Sequence, residues 1–123
     1  MNDPKQAPED LVVRIRRFAL DVMKYVHGLP NTAVCWVLGK QLLRSGTSFG
    51  ANHREGKRAR STAEFSAKLG IAQFEAEESA YWLELLMKSG IANTALAQSL
   101  WKEANELQAI LGAIIRTANR RKQ

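Results

Sequence analysis

Along most of this chain apolar residues recur every three or four positions, with polar residues filling the gaps. That spacing marks amphipathic helices, and the strict alternation of a half-buried strand is scarce. The first predicted helix runs from about Glu9 to Val26, with Leu11, Ile15, Phe18, Ala19, Val22 and Val26 on one stripe. Arg14, Arg17, Asp21 and Lys24 fall on the opposite, solvated side. Pro8 suits a helix start, and Gly28-Leu29-Pro30 stops the helix. Asn31 is the predicted N-cap of a second helix reaching about Gly56, striped by Val34, Leu38, Leu42, Ser45, Phe49 and Asn52. Its glycines, Gly39, Gly46 and Gly50, each cost roughly 1 kcal/mol of helix propensity relative to alanine. Close packing must compensate, and Gly46 and Gly50 beside Ser45, Ser48 and Ala51 would let another helix approach.

Ser61-Thr62-Ala63-Glu64 reads as a capping box that opens a third helix ending near Ser89. Its seam, Phe65, Leu69, Ala72, Ala76, Ser79, Leu83 and Leu86, alternates steps of four and three as bundle packing requires. Gly90 fits a left-handed cap. A fourth helix starts near Asn93 or Thr94 and turns Leu96, Leu100, Leu107, Leu111, Ile114 and Ala118 inward. Short connections make neighbouring helices antiparallel. The expected fold is an all-α, up-down-up-down four-helix bundle over residues 9–119, after a disordered arm at 1–8 and before a basic tail at 120–123.

The third helix has two apolar sides. At about 100° per residue, Ala67, Ile71, Phe74, Tyr81, Trp82 and Leu85 lie opposite its seam, broken by acids such as Glu78. One small bundle covers a single side of such a helix. Ile71, Phe74, Glu78, Tyr81, Trp82 and Leu85 are therefore the expected interface of a homo-oligomer. The alternative is a central helix wrapped by its neighbours.

Composition adds class and partner. A chain of 123 residues fits one domain, and 46% hydrophobic with 24% charged residues argues against global disorder. No apolar run approaches the roughly 20 residues of a membrane helix. The polar opening MNDPKQAPED lacks a secretory signal's apolar core, and Cys35 has no second thiol to pair with. A cytoplasmic protein with no membrane association is the expectation. The net charge is +6, and its distribution is segregated. Glu75, Glu77, Glu78 and Glu84 sit on helix three, whereas Arg54, Lys57, Arg58 and Arg60 crowd the connector before it. Arg116, Arg120, Arg121 and Lys122 follow the last acid, Glu106. Antiparallel geometry would gather connector and tail into one cationic pole suited to a polyanion such as RNA or DNA. No base-reading motif accompanies it, so recognition would be of backbone and shape.

Catalytic patterns fare worse. Gly46-Thr47-Ser48-Phe49-Gly50 matches the G-x-S-x-G nucleophile elbow, but an elbow needs a preceding strand, and here the pattern lies inside a helical run. A di-metal bundle site needs Glu-x-x-His pairs, whereas Lys24 and Gly50 stand three residues before His27 and His53. Both histidines read as surface or helix-end residues. Trp36, Trp82 and Trp101 read as core or interface rather than as base-stacking platforms. Asn52, Ser45, Ser48, Ser79, Glu75 and Glu78, on or beside packing seams, need partners if buried, and Arg44 or Arg54 is the expected cation of such a network. No catalytic residue, metal or cofactor is expected, and the reading is of a non-enzyme.

Several blocks resemble a known family. Leu29-Pro30, Gln41-Leu42-Leu43-Arg44-Ser45, Ser48, Ala51-Asn52 and Glu55-Gly56 occur in order on helix two. Phe65, Lys68-Leu69-Gly70-Ile71-Ala72, Glu75-Ala76, Glu78-Ser79 and Tyr81-Trp82-Leu83 follow on helix three. From Phe18 to Ile114 the chain resembles the four-helix bundle proteins also called the 23S rRNA intervening-sequence family. It departs from the usual pattern at Gly46, Phe49 and His53. The resemblance implies an up-down bundle commonly assembled as a homopentamer, encoded within a bacterial rRNA gene insertion or elsewhere. More distantly the chain is similar to the accessory variability determinant of diversity-generating retroelements, which implies nucleic-acid binding and a reverse transcriptase or ribosomal component as partner. A protein-interaction scaffold without nucleic-acid binding is the alternative reading.

Overall fold

The computed structural model describes residues 6–122 and the side chains of Leu11 to Arg121; the arm expected at 1–8 falls largely outside this range. Four helices fill it: α1 (Gln6–His27), α2 (Ala33–Lys57), α3 (Thr62–Ser89) and α4 (Thr94–Lys122). No strand occurs among the described residues.

The caps explain the breaks. Gly28 N–H donates to the carbonyls of Lys24 and Tyr25, closing α1 before Pro30. Thr32, rather than Asn31, caps α2: its extended backbone lets Oγ1 accept from Cys35 N–H at 3.2 Å. Ser61 Oγ accepts from Glu64 N–H at 3.1 Å. The Glu64 carboxylate reaches one residue further back than in a strict capping box, accepting from Arg60 N–H at 3.2 Å. Gly90, at φ 68°, ends α3 in the left-handed region where a side chain is strained. Asn93 Oδ1 caps α4 by accepting from Leu96 N–H at 3.0 Å.

Side-chain pairings give the topology. On α1 and α2, Val26 and Leu29 meet Gly39, Val22 meets Gly46 and Ile15 meets Gly50, so the two run antiparallel. From α2 to α3, Ser45 bonds Ser79 and Glu55 bonds Lys68. From α3 to α4, Ser66 donates to Asn119 and Gln73 to Gln108. Both pairs again run in opposite directions. α1 closes on α4, and among the described residues no contact joins diagonal helices, which is an up-down-up-down bundle. Arg14 is not simply solvated: its guanidinium donates to Glu103 at 2.7 Å and pairs with Glu106 at 3.1 Å, tying α1 to α4.

The core holds Phe18, Val22, Leu42, Phe49, Leu69, Leu83, Leu86, Leu107 and Leu111, with the Phe18 and Phe49 rings edge to face at 6.1 Å. The α3 seam is buried as the spacing predicts, with Phe65 half-buried at its end. The inward face of α2 differs. It comprises Cys35, Gly39, Leu42, Ser45, Gly46, Phe49, His53 and Gly56, while Val34 is 49% exposed and Asn52 half-buried. On α4 the buried position is Ala97 and not Leu96, which is 44% exposed. In both helices a small residue takes the seam and its larger neighbour is turned out.

Gly46 shows why. A Cβ there would lie 3.0 Å from Val22 Cγ1, closer than methyl groups rest, so the α1–α2 approach requires hydrogen at this position. Gly46→Leu should lower unfolding free energy by roughly 1–3 kcal/mol through overpacking. At Gly70 on α3, by contrast, a Cβ would meet nothing within 4 Å. Gly70→Ala should therefore gain about 1 kcal/mol from helix propensity alone. Urea unfolding of the two variants checks the contrast, and equal effects would remove the close-approach explanation.

Candidate nucleic-acid interface

Every predicted cation whose side chain is described is exposed: Arg54, Lys57, Arg58, Arg60, Arg116, Arg120 and Arg121, with Arg58's neighbour Ala59 half-buried between them. The side chain of Lys122 lies outside the described residues. The connector and tail clusters come from diagonal helices, and the start of α3 joins them. Ser66, in its first turns, donates to Asn119 at 2.9 Å, and Lys68 pairs with Glu55 at 3.2 Å. Both clusters therefore sit at one end of the bundle. Among the described residues none of these seven cations forms an ion pair; the pairs that form use Arg14, Arg44 and Lys68.

Two further groups belong to this end, and neither is placed there by the sequence pattern. Because Ile15 packs against Gly50, the first half of α1 lies beside the end of α2. Arg16 thereby joins Arg54, Lys57 and Arg58 around a groove of about 560 Å³ between the two helices. His53 also lines it; of the expected surface or helix-end placements it has the second, near the end of α2, but is buried at 6% exposure. Burial, and then the charge of Lys57, lowers its pKa below the ordinary value. Counting the α2 seam in alternating steps of four and three from Cys35 places His53, not Asn52, on the inward face.

The expected interface on α3 divides. Phe74 is 62% exposed, and Ile71 and Tyr81 are exposed with it. Glu78, Trp82 and Leu85 are half-buried, and Trp82 packs against the core while its ring lies 5.2 Å from that of Tyr81. Trp82 Nε1 and Tyr25 Oη are buried without a hydrogen-bond partner among the described residues. Trp101 is half-buried against the core, but Trp36 stands in solvent under Lys40 Nζ at 5.1 Å, a cation–π contact.

Acids and hydroxyls on the α2–α3 seam form the expected network, with Arg44 as its cation. Arg44 donates to Glu75 at 3.1 Å and to Glu78, and Ser48 donates to Glu75. The hydrogen bond to Glu78 holds the Arg44 guanidinium more firmly protonated; burial opposes it, and the charges of Glu75 and Glu78 add to it. Deeper in, Ser45 and Ser79 share a hydrogen bond of 2.7 Å, and Ser79 Oγ donates to the Glu75 carbonyl. These groups are satisfied within the bundle. Ser48, the serine of the elbow pattern, is one of them and sits in mid-helix. Among the described residues no group of three or more His, Cys, Asp or Glu could hold a metal ion.

The arrangement defines a small helical bundle with a cationic end and, on α3, an exposed apolar face. The family model for the 23S rRNA-intervening sequence protein matches residues 10–113, and the chain belongs to that family. It is similar to a crystal structure of a protein of unknown function from the S23 ribosomal protein family of Bacteroides thetaiotaomicron. The two are 38% identical with a TM-score of 0.79, over 85% of this chain and 97% of that one. A comparison with curated proteins finds no match.

Titration of His53 gives a pH signature with a fixed sign. Burial, and then the charge of Lys57, disfavours its protonation, and Arg16, Arg54 and Arg58 line the same groove. The unfolded chain binds the His53 proton below about pH 6.5, whereas the folded chain resists it to a lower pH. Stability should therefore fall as pH drops through that window, and His53→Gln should remove this part of the slope. Denaturant unfolding of both chains at several pH values measures it; parallel slopes would exclude His53 as the source.

Proposed function

We propose that this chain is a non-enzymatic, homo-oligomeric bundle that binds the backbone of RNA or DNA through its cationic pole. The observation that carries the reading is segregation: arginines and lysines with no ion pair among the described residues crowd one end, while the described acids other than Asp21 lie along α3 or are paired. A field of one sign at one end attracts a polyanion and releases its counterions. The family's name supports an RNA element as the setting, with the chain acting in the cytoplasm as an accessory to a ribosomal component or a reverse transcriptase. No helix among the described residues is long and apolar enough to cross a membrane.

The outer face of α3 supports self-association. Phe74, Ile71 and Tyr81 leave apolar area in water that a second copy would cover. A pentameric ring, as the family resemblance implies, would present the pole five times over. The same exposed aromatics favour a second reading, in which the face serves a protein partner and the pole has no nucleic-acid role.

Two measurements test these readings. Binding to a structured RNA should weaken steeply across a salt series. Replacing Arg54, Lys57, Arg58 and Arg60 together by glutamine should reduce the log–log salt slope by roughly three to four, nearly uniformly across sequences. No binding at low salt, or binding indifferent to salt, sinks the nucleic-acid reading. Analytical ultracentrifugation should find an oligomer that Phe74→Glu with Tyr81→Glu converts to monomer. A wild-type chain that sediments as a clean monomer overturns the self-association.

A further inference from the structure

The groove between α1 and α2 has a chemistry that a diffuse cationic pole does not require. Its inner lining is apolar or small: Val12, Ile15 and Ala19 on α1 face Gly50 on α2. All four are buried or half-buried. Its exposed lining carries four cations, Arg16 from one side and Arg54, Lys57 and Arg58 from the other, beside the neutral Thr47 and Ala51. Among the described residues no carboxylate lines it. The groove exists because Gly50 and Ala51 give α2 no bulk on that side; Gly50 lets Ile15 come so near that a Cβ would sit 3.2 Å from its Cγ2. At about 560 Å³ the space falls in the size range of small-molecule sites, roughly 300–1,000 Å³.

Apolar walls with a rim of guanidinium and ammonium groups match one kind of occupant: a flat or weakly polar body that carries an anion. Inorganic phosphate would leave the walls in water, and a purely apolar ligand would leave the rim without a counter-charge. We infer that this groove seats one nucleotide unit, its base against the α1–α2 walls and its phosphate on Arg16, Arg54, Lys57 and Arg58. His53 also lines the groove and adds an imidazole to its wall. The inference rests on the nucleic-acid reading above and sharpens it. An unpaired nucleotide enters the groove, whereas a base held in a duplex stays stacked and engages only the rim.

Ala51 provides the test because it is exposed, lines the groove and carries no charge. Ala51→Phe fills the groove while leaving every cation in place, and Ala51→Glu sets a carboxylate among them. Circular dichroism first establishes that each variant remains helical. Isothermal titration calorimetry then compares AMP, UMP, adenosine and inorganic phosphate on the full-length chain, and a single-stranded and a duplex RNA on the same samples. The expected result is that AMP or UMP binds at least tenfold more tightly than phosphate or adenosine. Ala51→Phe should weaken the nucleotide and the single strand at least tenfold, with duplex affinity kept within twofold.

Nucleotides that bind no better than phosphate, or that ignore both Ala51 variants, overturn the groove. If the duplex still binds in that case, the pole reading stands without it. Nucleotide binding in the groove with no binding of either RNA has the opposite meaning: the pole reading fails and the groove serves a free nucleotide.

Discussion

The structure depends on α2 having almost no bulk where it meets its neighbours. Gly39 sits against Leu29 just beyond α1, Gly46 and Gly50 sit against Val22 and Ile15 of α1, and Gly56 sits against Leu69 of α3. A glycine-rich helix is weak alone, by roughly 1 kcal/mol for each glycine relative to alanine. It persists because tight approach at these glycines gains dispersion contacts and excludes water there. The same approach decides what lies on the outside. Val34, Trp36 and Val37 cannot enter a seam this narrow and face solvent.

That narrowness also explains the polar seam. Between α2 and α3 there is room for Ser45 against Ser79 but not for two leucines, and a buried hydroxyl must find a partner. Each serine supplies the other's. Glu75, buried a turn away, is held by Ser48 and by Arg44 reaching in from solvent. A misregistered pairing of the two helices would strand a carboxylate and two hydroxyls, whereas slipping an all-aliphatic seam loses only contact area. The network therefore fixes register in a bundle whose small residues specify register poorly.

Much of this was legible in the sequence, and the failures share one cause. The four helices, their order and the α3 seam follow from spacing, because the seam keeps alternating steps of four and three although α3 carries a second apolar side. On α2 and α4 the spacing misled by one position. Val34 and Leu96 carry a strong apolar signal and are exposed; Cys35 and Ala97 carry a weaker one and are buried. Hydrophobicity measures what a side chain gains by leaving water, but a seam this tight selects on volume first. His53 was missed for the same reason, since its register follows from Gly39 and Gly46, which register on no apolar scale. The cations of α2 and α4 were legible because charge segregation survives without coordinates. Arg16 was not, since its place depends on Ile15 meeting Gly50 across two helices.

Packing and charge at the cationic end are consequently one problem. Small residues on α2 bring α1 close, and the close approach carries Arg16 to the side of Arg54 and Lys57. Like charges at this distance repel, so the end is less stable than a neutral one would be. A bundle selected for stability alone would place some of its glutamates here. Among the described side chains Glu55 instead engages Lys68 and Glu64 the Arg60 backbone, and neither neutralises an exposed arginine. His53 goes the same way: burial and then the charge of Lys57 disfavour its charged form beside the cationic rim. Repulsion retained at one end, beside walls left apolar, is what an anion with an attached flat body would relieve.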